Sequence, residues 1–358
     1  MGLSGYPPPF SIFVESKNRP YCMKKNLLLL VVALALSFGI AEMACRLKGV
    51  YLSYNERTGA GGYTSPFQTD NRGWTHRYRP SETRLLKRNE FTDSWTANED
   101  GLKEKAFRLS KEENRLLILG DSYAEGVGAP PDSAYPRILE SLFRQHGDSQ
   151  TQVINGGIGG SDVFFAYKLL LALAPKYKPG TVVLTCNPSD IPEYLTRGGF
   201  ERFVDDDHLQ YKSGPWFEFF YAHSLLVRLI VHDVLHFDFN FIPQKNYRQE
   251  VIQAENAMCG AIDSFQMYCN IHHLPFAVVF HPFYPDIQRP QEYQMKRMIA
   301  HCREKNIRCT DELPYLFHRG ITKDNWQSIY WPSDGHFKSS GYELLAQCVY
   351  EMAKTTNQ

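Results

Sequence analysis

Residues 115–123 read Arg-Leu-Leu-Ile-Leu-Gly-Asp-Ser-Tyr. A short apolar run closed by glycine has the look of a strand buried on both faces of a parallel sheet. Working outward, the same pattern returns at Gln152–Asn155, ahead of the glycine-rich turn Gly156–Gly160, and at Thr181–Cys186, Leu274–His281 and Ile307–Thr310. Helical spacing of apolar residues marks Ala134–His146, Phe164–Leu173, Gln249–Asn270, Gln291–Lys305 and Gly341–Lys354. Strands alternating with helices predict an α/β fold, a three-layer α/β/α sandwich around a mainly parallel five-stranded sheet. In such sheets ligands meet the carboxyl ends of the strands. The loops after Leu119, Asn155 and Cys186, and the last loop of the chain, are therefore the places to look.

Those loops hold residues with chemistry. Gly120-Asp121-Ser122 follows the first strand directly. A serine at a sharp strand-to-helix turn exposes its hydroxyl, as a nucleophile requires. Three such residues also make an ordinary helix cap. Asp334-Gly335-His336 stands near the other end. His336 can take a serine proton, and Asp334 can accept from the other ring nitrogen and fix the tautomer. Alone, that triplet reads equally well as a surface turn. The glycines at 156–160 can turn backbone N–H groups toward an oxyanion, and no Gly-Lys-Ser/Thr follows to make a phosphate loop. Asn187-Pro188-Ser189-Asp190 offers a side-chain donor after the third strand. His281 reads as a satisfied structural histidine, and Asp205-Asp206-Asp207 as a solvated turn rather than a calcium loop.

The 358 residues carry 39 basic and 39 acidic side chains, so no net charge draws the chain to nucleic acid or acidic membranes. No basic patch with interleaved aromatics marks a nucleic-acid surface. The mean hydropathy of −0.38 excludes a multi-span membrane protein. Asn26–Ala41 is nevertheless free of charge and follows Lys24 and Lys25. It reads as an uncleaved single-pass anchor, with a cleaved signal peptide as the alternative. The basic residues before it suggest the tail inside and the body outside the cytoplasm. The expected organisation is a tail at 1–22, the anchor at 23–45, and a polar, irregular juxtamembrane segment at 46–112. A main domain fills 113–358, with an insertion at about 192–244. Within that insertion 203–211 looks like a hairpin and 216–237 like one strongly apolar helix. Eight cysteines without zinc spacing predict no metal. One or two bridges among Cys259, Cys269, Cys302 and Cys309, or buried free thiols, remain open.

From about Asn98 to its end the chain resembles the SGNH/GDSL hydrolase superfamily. The resemblance rests on Gly120-Asp121-Ser122, on Asn155 to Gly160, and on Asp334 and His336 followed by Gly341. It implies a flavodoxin-like strand order. It also implies Ser122 as nucleophile, His336 as base, Asp334 as its orienter, and the N–H groups of Ser122 and Gly160 in an oxyanion hole. The third block departs from the family's Gly-x-Asn-Asp, because Ser189 stands where the asparagine belongs. Ser189, or Asn187 two residues upstream, would have to donate there; one lost donor costs on the order of 10²–10³ in rate. The single residue between Asp334 and His336 looks more like the branch containing membrane-associated polysaccharide O-acetyltransferases. The layout is also similar to single-pass bacterial members, with Asn98-Glu99-Asp100-Gly101 before the first strand, Gly126 and Gly128 after the nucleophile, and Tyr135-Pro136 with Leu139 in the next helix.

The expected activity is ester hydrolysis by a Ser-His-Asp triad on an extracytoplasmic acylated glycan or lipid, with no cofactor. O-acyl transfer to a cell-surface polysaccharide is the alternative from the same machinery. A non-catalytic glycan-binding or partner-binding relative is the alternative from another class.

Overall fold

In the computed structural model, which describes residues 19–49, 67–69, 76–106, 114–203 and 214–354, the run at 115–120 lies inside a strand of a five-stranded sheet. In chain order the elements begin with helix α1 (Arg19–Lys48) and the short strands β1 (Phe67–Thr69), β2 (His76–Tyr78), β3 (Thr83–Lys87) and β4 (Thr92–Thr96). Then come β5 (Asn114–Gly120), α2 (Ser122–Glu125), α3 (Tyr135–Gln145), β6 (Thr151–Gly157), α4 (Val163–Tyr177), β7 (Thr181–Cys186) and α5 (Asp190–Arg197). Helices α6 (Glu218–His223), α7 (Leu225–Leu229) and α8 (Gln244–Ile271) follow. The chain closes with β8 (Phe276–Phe280), α9 (Tyr284–Gln288), α10 (Lys296–Glu304), β9 (Arg308–Asp311), α11 (Glu312–His318) and α12 (Ser339–Lys354).

Two compact units result, Met1–Gly62 with Gly214–Phe241, and Tyr63–Ser213 with Ile242–Gln358. The larger holds the sheet, whose order is β6-β5-β7-β8-β9 with every pairing parallel. In sequence terms that is the doubly wound order 2-1-3-4-5, whose switch point falls between β5 and β7. Helices α3 and α12 pack together on one face, and α4, α5 and α10 gather around α8 on the other. The inner strands are buried over most of their length because helices cover both faces, and every residue of β8 is buried. This is the three-layer α/β/α architecture expected from the alternation of elements.

Within the stretch expected to be irregular, β3 and β4 pair antiparallel, joined by the turn at 88–91. Period-2 burial runs through Thr92–Thr96, but one of its inward residues is Asp93. Lys103 Nζ meets Asp93 Oδ2 at 2.5 Å, both side chains being out of solvent, so a charge occupies a core position. An apolar alternation was never there to find.

The smaller unit holds α1, α6 and α7. The single apolar helix expected at 216–237 is broken: Ser224 is extended (φ −132°, ψ 123°) and caps α7 through the Val227 N–H, and a π-helical turn follows at Ile230–Val234. The break is held by the buried Arg228, whose guanidinium donates to the carbonyls of Tyr221 and Ala222. The hairpin expected at 203–211 and the acidic run at 205–207 lie outside the described residues, apart from Phe203. Cys259, Cys269, Cys302 and Cys309 stand as free thiols in this structure.

Candidate active site

β5 delivers Gly120-Asp121-Ser122 at the switch point. Gly120 has φ +154°, and a Cβ there would stand 2.8 Å from the Thr185 carbonyl oxygen, so the turn admits only glycine. Asp121 caps α2 by accepting the Tyr123 N–H at 2.9 Å. Ser122 opens that helix and is half-buried, while 121 and 123–129 are buried around it. Helix α2 lies flat on β6: a Cβ on Gly157 would come within 2.2 Å of the Glu125 nitrogen. Glu125, itself buried, accepts from the Tyr78 hydroxyl at 2.7 Å and from the Gly159 N–H. Burial pushes its carboxyl above the usual range, against the pull of the Lys103 charge and these bonds.

The last loop folds back on this turn. Tyr330 bridges Phe337, Trp331 N–H donates to the His336 carbonyl at 2.8 Å, and Gly335 (φ +89°) makes the reversal between them. The loop is tied down by Tyr123, whose hydroxyl donates to the Gly335 carbonyl at 2.7 Å, and by Trp331 Nε1, which donates to Gly128 O at 2.9 Å. His336 Nδ1 lies 2.5 Å from Asp334 Oδ1, and its Nε2 lies 2.9 Å from Ser122 Oγ. With the proton on Nδ1, held by the carboxylate, Nε2 is left to accept the serine proton. Burial raises the Asp334 carboxyl, but the hydrogen bond and charge of His336, with Arg88 beyond, outweigh it and leave the group below its ordinary range. Arg88 Nε is 3.7 Å from Asp334 Oδ2. Ser122, Asp334 and His336, singled out from opposite ends of the domain, thus form one continuous relay.

Gly160 has φ +73°, its carbonyl accepts from Arg197 Nη1 at 2.7 Å, and no atom lies within 4 Å of where a Cβ would be. The glycine turn is fastened to the Gly120-Asp121-Ser122 turn by Ser161, whose hydroxyl donates to the Gly120 carbonyl at 3.1 Å. At the next loop Asn187 is engaged inside the protein. Its side chain is fully buried, with Nδ2 donating to Asp121 Oδ2 at 2.6 Å and Oδ1 accepting the Ser189 N–H at 2.8 Å. One of the two amide hydrogens is thereby committed to Asp121. Ser189 is the half-buried member of the pair. Asp190 accepts the N–H groups of Val163 and Asn187, tying the α4 start to the β7 loop.

Sequence reasoning passed over several contributors. Buried tyrosines peg the loops around the relay: besides Tyr123, Tyr330 donates to Pro282 O and Tyr342 to Val127 O, each at 2.7 Å, and the hydroxyls of Tyr135 and Thr185 meet at 2.7 Å. The high aromatic content was the signal available for them. Glu90 Oε2 takes the backbone N–H groups of Ser333 and Asp334, an arrangement no local pattern announces. His281 is buried at the end of β8 with its ring centroid 4.2 Å from that of Tyr123. It is satisfied on one side only, because its Nε2 has no hydrogen-bond partner. Among the described residues no group of three His, Cys, Asp or Glu side chains is placed to hold a metal ion.

No protein-family model matches the chain. A curated arylesterase of Vibrio mimicus is 31% identical over 81 residues, which are 23% of this chain and 40% of that protein, so the chain spans well under half the length of this relative. Among solved structures, a psychrotrophic esterase of Pseudoalteromonas sp. is 14% identical at a TM-score of 0.41, covering 69% of this chain and 100% of its own. A two-domain esterase active on acetylated mannans is 14% identical at 0.40, covering 68% of this chain and 49% of its own. A member of the lipolytic protein G-D-S-L family from Veillonella parvula is 15% identical at 0.37, covering 66% of this chain and 96% of its own.

Proposed function

We propose that this chain is a serine esterase of the SGNH/GDSL kind, held to a membrane by α1 with its catalytic unit outside the cytoplasm. The observation that carries the reading is the relay from Ser122 Oγ through both nitrogens of His336 to Asp334, at 2.9 and 2.5 Å. Such a relay is what raises a serine hydroxyl to nucleophilicity. The stretch shared with the Vibrio mimicus arylesterase adds support.

In the proposed reaction Ser122 Oγ attacks the ester carbonyl carbon as His336 Nε2 takes the hydroxyl proton. The carbonyl oxygen becomes an oxyanion, received by the N–H groups of Ser122 and Gly160 and by the Ser189 hydroxyl. Asp334 stays ionised and stabilises the imidazolium. Collapse of the intermediate expels the alcohol, which leaves with the proton from His336. Water, deprotonated by the same nitrogen, then attacks the acyl-enzyme, and Ser122 leaves as the hydroxyl with the carboxylic acid as product. If a sugar hydroxyl replaces water, the same steps transfer the acyl group.

The test is hydrolysis of 4-nitrophenyl acetate and longer 4-nitrophenyl esters by the full chain in detergent, beside Ser122→Ala. The expected result is turnover that Ser122→Ala abolishes, with fluorophosphonate labelling of wild type only. A burst of one equivalent without turnover would instead favour an acyltransferase awaiting its acceptor. Neither turnover nor labelling, in folded protein, would sink the enzyme reading and leave a binding relative.

A further inference from the structure

The side chains of α1 from 26 to 40 are uncharged and exposed, and Lys24–Lys48 is long and apolar enough to cross a membrane. Its uncharged part is short, however. Residues 26–41 number sixteen and cover about 24 Å as a helix, less than the roughly 30 Å of a hydrocarbon core. The next residue is Glu42, a carboxylate close to where the span should continue. Glu42 is not left bare. It accepts from Ser224 Oγ at 2.8 Å and from the N–H groups of Leu225 and Leu226 at 3.1 and 2.9 Å, and pairs with Arg46 at 2.8 Å. Arg46 also donates to the His223 carbonyl. The junction of α6 and α7 is therefore fastened at the end of the apolar run, and Cys45, three residues on from Glu42, is buried.

The segment fastened there has an inside and an outside. Phe217, Tyr221, Phe237 and Phe241 pack edge to face into a small aromatic core of their own. Facing outward instead are Trp216 (87% exposed), Phe219, Phe220, Val234, Leu235 and Phe239. Water-facing surfaces of soluble units do not carry so many large apolar groups in so short a stretch. Aromatic side chains of this kind collect where hydrocarbon meets headgroups.

We infer that residues 214–241 form a membrane seat, whose outward aromatic side chains enter the lipid interface beside the point where α1 leaves the bilayer. The seat supplies apolar surface at the level where the uncharged part of α1 runs out, and its backbone N–H groups receive the carboxylate that would otherwise meet lipid. The inference rests on the anchor reading of α1 and is independent of the ester chemistry.

The test uses the full chain in phosphatidylcholine vesicles with and without dibrominated acyl chains, read by tryptophan fluorescence. The chain has five tryptophans, at 74, 95, 216, 326 and 331, and none lies in α1. Bromolipid is expected to quench the emission, most of that quenching is expected to vanish in Trp216→Phe, and Phe219→Ser with Phe220→Ser should weaken it while Trp216 remains. Trp216 reached by acrylamide but not by bromolipid would place the face in water and overturn the inference. Shielding from both would mean that protein, such as a second copy of this chain, covers the face, and would overturn it too. Retention of the chain by vesicles after a carbonate wash reports α1 separately. Retention without Trp216 quenching overturns the seat alone, and loss of retention overturns the anchor with it.

Discussion

Glu90 Oε2 accepts the backbone N–H of Asp334 at 2.8 Å and that of Ser333 at 2.7 Å, although Glu90 and Asp334 stand 244 positions apart in the chain. The turn joining β3 to β4 thereby seats the acid end of the proposed triad. Phe91 adds a ring contact with Trp331, centroids 5.6 Å apart. The stretch ahead of the sheet is thus part of the site and not merely a spacer.

Glu90 is accordingly a positioning residue. A misplacement of about 1 Å in a catalytic group costs as much as a hundredfold in rate. Glu90→Ala should lower kcat for 4-nitrophenyl acetate roughly ten- to a hundredfold with KM little changed. Glu90→Gln keeps an acceptor oxygen and should recover most of the loss. Equal losses in the two variants, tracking a fall in Tm, would make Glu90 a structural prop only.

The two candidates of the β7 loop separate by what each one loses. Ser189→Ala should lower kcat, on the order of tenfold or more for an oxyanion donor, and leave Tm unmoved. Asn187→Ala should act on stability first, because it strips Asp121 Oδ2 of its partner inside the protein. An unsatisfied buried acceptor costs about 1–3 kcal/mol, more when charged. Steady-state rates and melting curves of both variants decide, and the reverse pattern would put the donor on Asn187.

Asp334→Asn preserves shape while removing the charge that holds His336. The loss in kcat should be on the order of 10³–10⁴, as for an orienting carboxylate elsewhere. Since the Asp334 carboxyl lies below its ordinary range in the folded chain, it favours folding above the unfolded value near 3.9. That contribution disappears as pH falls through the folded value. Wild-type kcat within tenfold of the variant's would remove Asp334 from the mechanism.

Much of this arrangement could be read in advance because strong local patterns carry it. Thr181–Cys186 is a strand to the residue, since fully buried strands advertise themselves as apolar runs. Gly120 and Ser122 were legible because steric limits force glycine at the sharp turn after β5. What escaped depended on partners distant in sequence. Asp93 hid β4 because Lys103 neutralises it inside the fold. Nothing near Asn187 in the sequence reveals that its amide meets Asp121. The helix expected over 216–237 failed at Ser224, where capping and the fold-back of Arg228 win over helical propensity.

His281 offers a pH test beside the relay. Burial, with the His336 charge adding to it, lowers its imidazole to about 3 against the opposing pull of the Pro282 carbonyl. It is therefore neutral throughout the working range and cannot stand in for His336. In the unfolded chain the group titrates near 6.5. Between those values the unfolded state binds the extra proton, so stability rises with pH in that window and is lost as pH falls from about 6.5 toward 3. From pH 7 to pH 5 the loss through this one group comes to about 2 kcal/mol. Replacing His281 by a residue without a proton to gain removes that slope, whatever it does to stability at pH 7. His281→Phe suits the surrounding rings of Tyr123, Phe283 and Phe337, and His281→Gln is the polar control. In both, the drop in Tm between pH 7 and pH 5 should be smaller than in wild type. An unchanged drop in both variants would mean that His281 is protonated in the fold, and that its unpartnered nitrogen has a partner.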